Sequence, residues 1–256
     1  MTLLCAKIAL SVSSPTFAQD RAPAVVAAFE KWMKKHGVRK GSIAVSFNNK
    51  LVKTGGRKRK ASDAVPVASL SKAITAICAL KALEAKGLTT SAKLIDFLPA
   101  LAADSGKDQI LATIQVGHLM AQNSGLQPDI TQKELVKLRT FKKENLEWQL
   151  QKQFKLPVKT EPGRNFFYNN SNYAALGLIV EKLTGRNHFD YCNETILKPL
   201  GVTSAKANKD WAVMSSYGGW MISAQDYLTF ADWAFDNSEV LGNNPYRMPR
   251  GNVGGG

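Results

Sequence analysis

The sequence predicts an α/β fold of the α+β kind: an antiparallel sheet with an inserted helical domain, the sheet left incomplete. Three observations predict it. A helix-period stretch leads into two strand-period stretches around a tight turn, a long helical region follows, and no comparable strand pattern comes after that region. Two strands alone are marginal in water and leave an unpaired edge. The expectation is therefore that strands from another source complete the sheet, or that this chain lacks its own C-terminal portion.

Residues 22–36 contain the pattern AVVAAFEKWMKKH, an amphipathic helix stopped by Gly37. SIAVSF and KLVKTG read as two strands joined at Asn48-Asn49, a residue pair suited to a two-residue hairpin turn. A basic loop follows, and then Val65-Pro66-Val67-Ala68 leads into SLSKAITAICALKALEAKG, a strong helix ending near Gly87. From Thr89 to about Asp210 the chain reads as mostly helical, with loops at SGKDQ, NSGLQPD and KTEPGRN. SNYAALGLIVEKLTG is a helix closed by Gly185, and YGGWMIS reads as a short turn or strand. Ser223-Ala224-Gln225-Asp226 predicts a capping box for the helix DYLTFADWAF. The resulting domain reading is a signal-like segment over 1–20, a partial folded domain over 21–236, and an irregular Gly/Pro/Asn-rich end over 237–256.

With 256 residues, 45% of them apolar, the chain can build one sizeable core or two smaller lobes. No stretch reaches the roughly 18 to 20 apolar residues of a membrane-spanning helix. The first twenty residues resemble a secretory signal, with a short apolar run at 8–12 and a cut expected after Ala18, so the expected location is periplasmic or secreted. Three cysteines are too few for a disulfide framework, and Cys78 and Cys192 read as small buried hydrophobes on helices. No Cys/His spacing indicates a metal and no cofactor motif is present. The net charge of +14, densest at Arg57-Lys58-Arg59-Lys60, comes without any nucleic-acid-binding motif and reads as a solvated basic surface.

Ser69-Leu70-Ser71-Lys72 is the S-x-x-K of the chain. Residues three apart share a helix face, so the Lys72 amine can approach the Ser69 hydroxyl, and the helix start favours a developing alkoxide. A serine hydroxyl attacks only when a base takes its proton. An ordinary lysine, with a pKa near ~10.4, cannot be that base at neutral pH. Burial could lower it, or Lys72 could stay charged and hold down a neighbouring phenol; the sequence leaves both open. The plain alternative is a capping serine followed by a surface lysine. Tyr168-Asn169-Asn170, on the loop of PGRNFFYNNSNY, supplies a phenol that can relay a proton and an Asn170 amide that can hold a carbonyl. Tyr191-Cys192-Asn193 has the same three-letter pattern but falls within a helix and reads as a decoy.

Taken together these segments resemble the serine β-lactamase-like and penicillin-binding family, which includes AmpC-type lactamases, D,D-peptidases and esterases. VASLSKAITAICALKALEAKGL is similar to that family's nucleophile helix. HLMAQNSGLQ is similar to its helix-and-loop segment, PGRNFFYNNSNYAALGLIVEKLTG to its Y-x-N segment, and ILKPLGV and GGWMISAQD to two further landmarks, all in the family's order. The resemblance implies a five-stranded antiparallel sheet with helices inserted between its second and third strands. It implies Ser69 as acylated nucleophile, Lys72 as its partner, Tyr168 as general acid or base, and Asn170 as a substrate contact. The implied substrate is a small molecule or a peptidoglycan-like peptide, with no nucleic acid and no cofactor.

The sequence departs from the family in two places. The third motif, Lys or His then any residue then Gly on the third strand, has no match after GGWMISAQD. Lys53-Thr54-Gly55 spells it but lies upstream of Ser69 and reads as coincidence. That strand also supplies one oxyanion donor, whose loss costs on the order of 10²–10³ in rate, so the chain reads as a fragment of impaired activity. Gln122 stands where the family pattern often has His. His36, His118 and His188 fit no Ser-His-Asp arrangement, and a non-catalytic relative that binds wall peptide or a partner is the competing reading.

Overall fold

A computed structural model of the chain describes residues 15–103, 110–131 and 144–236. The expected signal core at 8–12 and the Gly/Pro/Asn-rich end at 237–256 lie outside the described residues. The fold divides into two compact units. Of the described residues, one comprises 15–66, Leu197–Lys206 and 221–236; the other comprises those within Val67–Ile196 and Ala207–Trp220.

In the first unit, helix α1 (Pro15–Lys35) is longer at its N-terminus than the periodicity implied, and the expected cut after Ala18 falls within it. Strands β1 (Gly41–Phe47) and β2 (Lys50–Arg57) pair antiparallel from Gly41–Arg57 to Phe47–Lys50, with a register shift at Val45/Ser46. Asn48 and Asn49 both adopt positive φ, 47° and 60°, which matches the right-handed twist of the hairpin. α1 packs on this pair with Met33 fully buried. Gly55 is required by that packing, because a Cβ there would lie 2.1 Å from Val26 Cγ1. The Lys53-Thr54-Gly55 triplet therefore has a structural account: Gly55 admits α1, and Lys53 is exposed on β2 opposite Val45.

A short strand β3 (Val65–Pro66) pairs antiparallel with a later strand, Trp220–Ile222, in the pairs Val65–Ile222 and Pro66–Met221. The YGGWMIS segment is thus resolved as a strand. A terminal helix, Ala224–Asp236, follows it. Half of the expected capping box forms there. The Asp226 N–H donates to Ser223 Oγ at 3.1 Å, but the Asp226 carboxylate accepts from the Thr203 and Ser204 backbones at 3.1 and 2.7 Å, anchoring that loop instead.

The second unit is helical. Helix α2 (Ser71–Glu84) carries Lys72, with Ile74, Ile77, Cys78, Ala79, Ala82 and Leu83 buried. Short helices α3 (Leu94–Phe97), α4 (Pro99–Ala103) and α5 (Val116–Met120) precede α6 (Glu144–Phe154). Helix α7 (Asn170–Thr184) is the centre of the unit: every residue from Ser171 to Val180 is buried, and α2, α5 and α6 pack around it. Its N-cap Asn169 accepts from the Ser171 N–H, and Gly185 at φ 67° closes it. Tyr191-Cys192-Asn193 falls on α8 (His188–Cys192) and the helical turn after it, so this second Y-x-N is part of a helix.

The reading of the cysteines requires correction. Cys78 on α2 and Cys192 on α8 are both fully buried, but they are joined in a disulfide with Cα atoms 5.6 Å apart. They lie 114 residues apart in sequence, and only the packing of α8 against α2 brings them together.

Candidate active site

Val67–Leu70 forms a tight entry to α2 in which Ala68 has φ 46°, a left-handed conformation unusual for alanine, and residues 68–70 make a 3-10 turn. Ser69 therefore sits in the lead-in to α2 and is exposed, whereas Lys72, one turn on, is only 7% accessible. The entry is clamped from the far end of the chain. The Val67 N–H donates to the Trp220 carbonyl at 3.0 Å, and the Trp220 N–H donates to Ser71 Oγ at 3.3 Å. Gly219 permits the close approach of this segment, since a Cβ there would lie 2.1 Å from the Trp211 carbonyl.

Three of the four residues expected from sequence converge. Ser69 Oγ lies 2.7 Å from Tyr168 Oη and 3.3 Å from Lys72 Nζ. Lys72 Nζ also donates to the Tyr217 carbonyl at 2.8 Å. The rings of Tyr168, Tyr173 and Tyr217 surround the amine, with centroids 5.0, 5.7 and 5.6 Å away. Burial in this aromatic cage brings the Lys72 amine down to about 7, against a smaller opposing pull from the Asp129 carboxylate. Desolvation likewise raises the Tyr173 phenol to about 12, with the Tyr168 phenol adding to it, and pushes the Tyr217 phenol upward, with Asp129 adding to it. Near neutral pH a neutral amine at position 72 can donate to the Tyr217 carbonyl and turn its lone pair to the Ser69 hydroxyl.

Asn170 is placed differently. Its side-chain Nδ2 donates to Asp129 Oδ2 at 3.2 Å and to Thr131 Oγ1 at 3.0 Å. The nitrogen expected to hold a substrate carbonyl is thus already engaged by Asp129 and Thr131.

Sequence reasoning missed several residues that build the site. Tyr217 and Tyr173 complete the cage around Lys72, and no local pattern marks them. Gln122, noticed only as a departure from the family pattern, is buried and holds the loop that carries Tyr168. Its Oε1 accepts from the Asn169 N–H at 2.9 Å and from Asn172 Nδ2 at 2.7 Å, while its backbone carbonyl accepts from the Phe167 N–H at 2.8 Å. Ser124, Gln149, Gln153 and Ser171 extend this buried network. Gln122→Leu is expected to orphan two buried donors and to cost about 1–3 kcal/mol for each, a loss measurable by urea unfolding. His118 caps α5, its Nδ1 accepting from the Gln115 N–H at 3.1 Å, and burial lowers its pKa. His188 is buried between Thr75 and Ser215, at 3.0 and 3.1 Å, and burial holds it down to about 3.

Comparison with known proteins identifies the fold and the family. In sequence, the chain is 29% identical over 184 residues to protein flp of Staphylococcus aureus (strain COL), an alignment covering 66% of this chain and 36% of that protein. It is 27% identical over 145 residues to a putative D-alanyl-D-alanine carboxypeptidase of Escherichia coli (strain K12), covering 56% and 33%. The chain thus spans about a third of the length of these relatives. In structure, the octameric penicillin-binding protein homologue of Pyrococcus abyssi superposes with a TM-score of 0.72 at 19% identity, covering 84% of this chain and 56% of that one. The D-amino acid amidase of Ochrobactrum anthropi SV3, complexed with L-phenylalanine amide, gives 0.73 at 16% identity, covering 88% and 72%. These likenesses establish the β-lactamase/transpeptidase-like fold expected from the sequence. The family model described as Beta-lactamase matches residues 25–251, nearly the whole chain, and the protein belongs to that family.

Proposed function

We propose that the protein is a serine hydrolase that opens an amide or ester carbonyl through an acyl-enzyme on Ser69. The observation that carries this reading is the placement of Ser69 Oγ within 2.7 Å of a phenol and 3.3 Å of a buried amine whose pKa is about 7. In acylation the Lys72 lone pair takes the Ser69 proton as Oγ attacks the carbonyl carbon. Tyr168, on the other side of Oγ, passes its proton to the departing nitrogen or oxygen and recovers one from the Lys72 ammonium. In deacylation the same two groups take a proton from water as it attacks the ester, and Ser69 Oγ leaves with a proton restored.

The substrate classes that fit are β-lactams, D-amino-acid peptides and small esters, each presenting one carbonyl to the serine. Similarity to an amidase and to a carboxypeptidase supports amide substrates first. An envelope location is part of this proposal. Its support is the signal-like N-terminus and the Cys78–Cys192 disulfide, which an oxidising compartment preserves. No described helix is long and apolar enough to cross a membrane.

The test is to incubate the protein with a fluorescent penicillin or an activated ester and to map the labelled peptide. Label on Ser69 with release of product supports the hydrolase. No label, with retention of a wall-peptide ligand, supports the non-catalytic binding relative instead. Tyr168→Phe is expected to slow labelling by about 10²-fold or more while leaving the melting temperature close to the wild type, because the phenol is 41% exposed and its loss opens no core cavity.

A further inference from the structure

His188 is a buried group that the proposed acylation steps do not use, yet both of its ring nitrogens are engaged. It starts α8 and is only 3% accessible, with its backbone N–H donating to Glu181 Oε1 at 3.1 Å. Nε2 lies 3.0 Å from Thr75 Oγ1, and Nδ1 lies 3.1 Å from Ser215 Oγ. Thr75 Oγ1 itself donates to the Ser71 carbonyl at 3.3 Å, so it accepts from Nε2, and Nδ1 then accepts the Ser215 proton. The ring thereby joins two elements that both meet the Lys72 amine. Thr75 follows Lys72 by one turn of α2. Ser215 stands two residues before Tyr217, whose carbonyl accepts from Lys72 Nζ at 2.8 Å.

The turn that offers this carbonyl is closed on itself. The Met214 carbonyl accepts from the Tyr217, Gly218 and Gly219 N–H groups at 3.0, 2.8 and 3.0 Å, and the Ser215 N–H donates to the Ala212 carbonyl at 3.0 Å. Two of its side chains tie it to other elements: the Tyr217 phenol donates to Gln149 Oε1 at 3.0 Å, and the Ser215 hydroxyl meets His188. α8 is fastened to α2 in turn, by the Thr75–His188 contact and by the Cys78–Cys192 disulfide.

We propose that His188 is a positioning residue of the acylation site: through Ser215 it holds the turn that presents the Tyr217 carbonyl to Lys72, at a spacing set from α2 through Thr75. That carbonyl occupies one direction around Nζ and leaves another for Ser69 Oγ, 3.3 Å away. The inference rests on the serine-hydrolase reading for its effect on rate, but not for its effect on the carbonyl.

The experiment reads the carbonyl directly. Tyr217-Gly218 is the single Tyr-Gly pair of the sequence, so protein labelled with 13C-carbonyl tyrosine and 15N-glycine gives one carbonyl-to-amide correlation by NMR, that of Tyr217. Lys72→Met marks where this signal falls once the amine no longer donates. His188→Leu is expected to move the signal toward that position and to slow Ser69 labelling by a fluorescent penicillin by about 10- to 10²-fold at saturation. The concentration giving half the maximal rate should change little. His188→Asn places an amide oxygen where Nδ1 stood, keeps the Ser215 bond, and is expected to restore both readouts toward wild type. His188→Gln reaches only the Nε2 position and is expected to restore less. Should His188→Leu fail to fold, Ser215→Ala cuts the same link by removing one hydroxyl and is expected to shift the signal likewise. A Tyr217 signal unmoved in the variants that cut the link, or His188→Asn no better than His188→Gln, overturns the proposal. If the wild type is never labelled at Ser69 while the signal still moves, the hydrolase reading fails and the positioning role stands.

Discussion

Replacing Ser69 with alanine is expected to abolish covalent labelling and to lower turnover by roughly 10⁶-fold, the order observed when the nucleophile of a serine hydrolase is removed. The size follows from chemistry, because neither Tyr168 nor Lys72 can substitute as the attacking atom once Oγ is gone. The same change should leave folding almost untouched. Ser69 is exposed in the lead-in to α2, and its hydroxyl bonds Tyr168 and Lys72 of the site, whereas the buried anchor of that turn is Ser71, which accepts from Trp220. Stopped-flow hydrolysis of an activated ester, together with thermal unfolding of both proteins, checks the pair of expectations. Unchanged hydrolysis in Ser69→Ala would remove the serine from the mechanism.

Lys72→Met is expected to cut acylation by about 10²–10⁴-fold and, at the same time, to stabilise the protein near neutral pH. Both effects come from burial. Lys72 has a folded pKa of about 7 against 10.5 for the ordinary side chain, so the unfolded chain binds the extra proton between these values. Stability then rises with pH across that window, and the penalty for the buried amine is greatest below pH 7. Between pH 7 and 9.5 the wild type should gain about 3 kcal/mol relative to Lys72→Met, which carries no proton to release. Urea unfolding at the two pH values measures the gain, and a constant difference between the proteins would refute it. Acylation by the wild type should show an ascending limb near pH 7, because the proposed mechanism uses the neutral amine as its base.

The site was partly legible because its chemistry is concentrated in short local patterns. Ser69 and Lys72 lie one helical turn apart, so their approach depends only on local geometry, and the α2 lead-in delivers it at 3.3 Å. Tyr168 was legible for a different reason: several motifs in a fixed order implied a fold that brings it to Ser69. Asn170 shows where that reasoning stopped. Its motif position was clear, but its hydrogen bonds are decided by Asp129 and Thr131, which no part of the motif names. Gln122 is a similar case, since its value lies in two buried acceptor contacts rather than in its identity with a pattern.

By itself, the sequence determined the hairpin, the helix that follows Ser69 and the central helix, because turn chemistry and apolar periodicity act over one or two turns of chain. It also determined which hydroxyl, amine and phenol to bring together. Only the tertiary structure decided the environment that lowers the Lys72 pKa, because the cage around the amine draws on residues 168, 173 and 217, and desolvation depends on how they pack. The Cys78–Cys192 disulfide was likewise a tertiary outcome, since a separation of 114 residues is closed by helix packing and leaves no local mark.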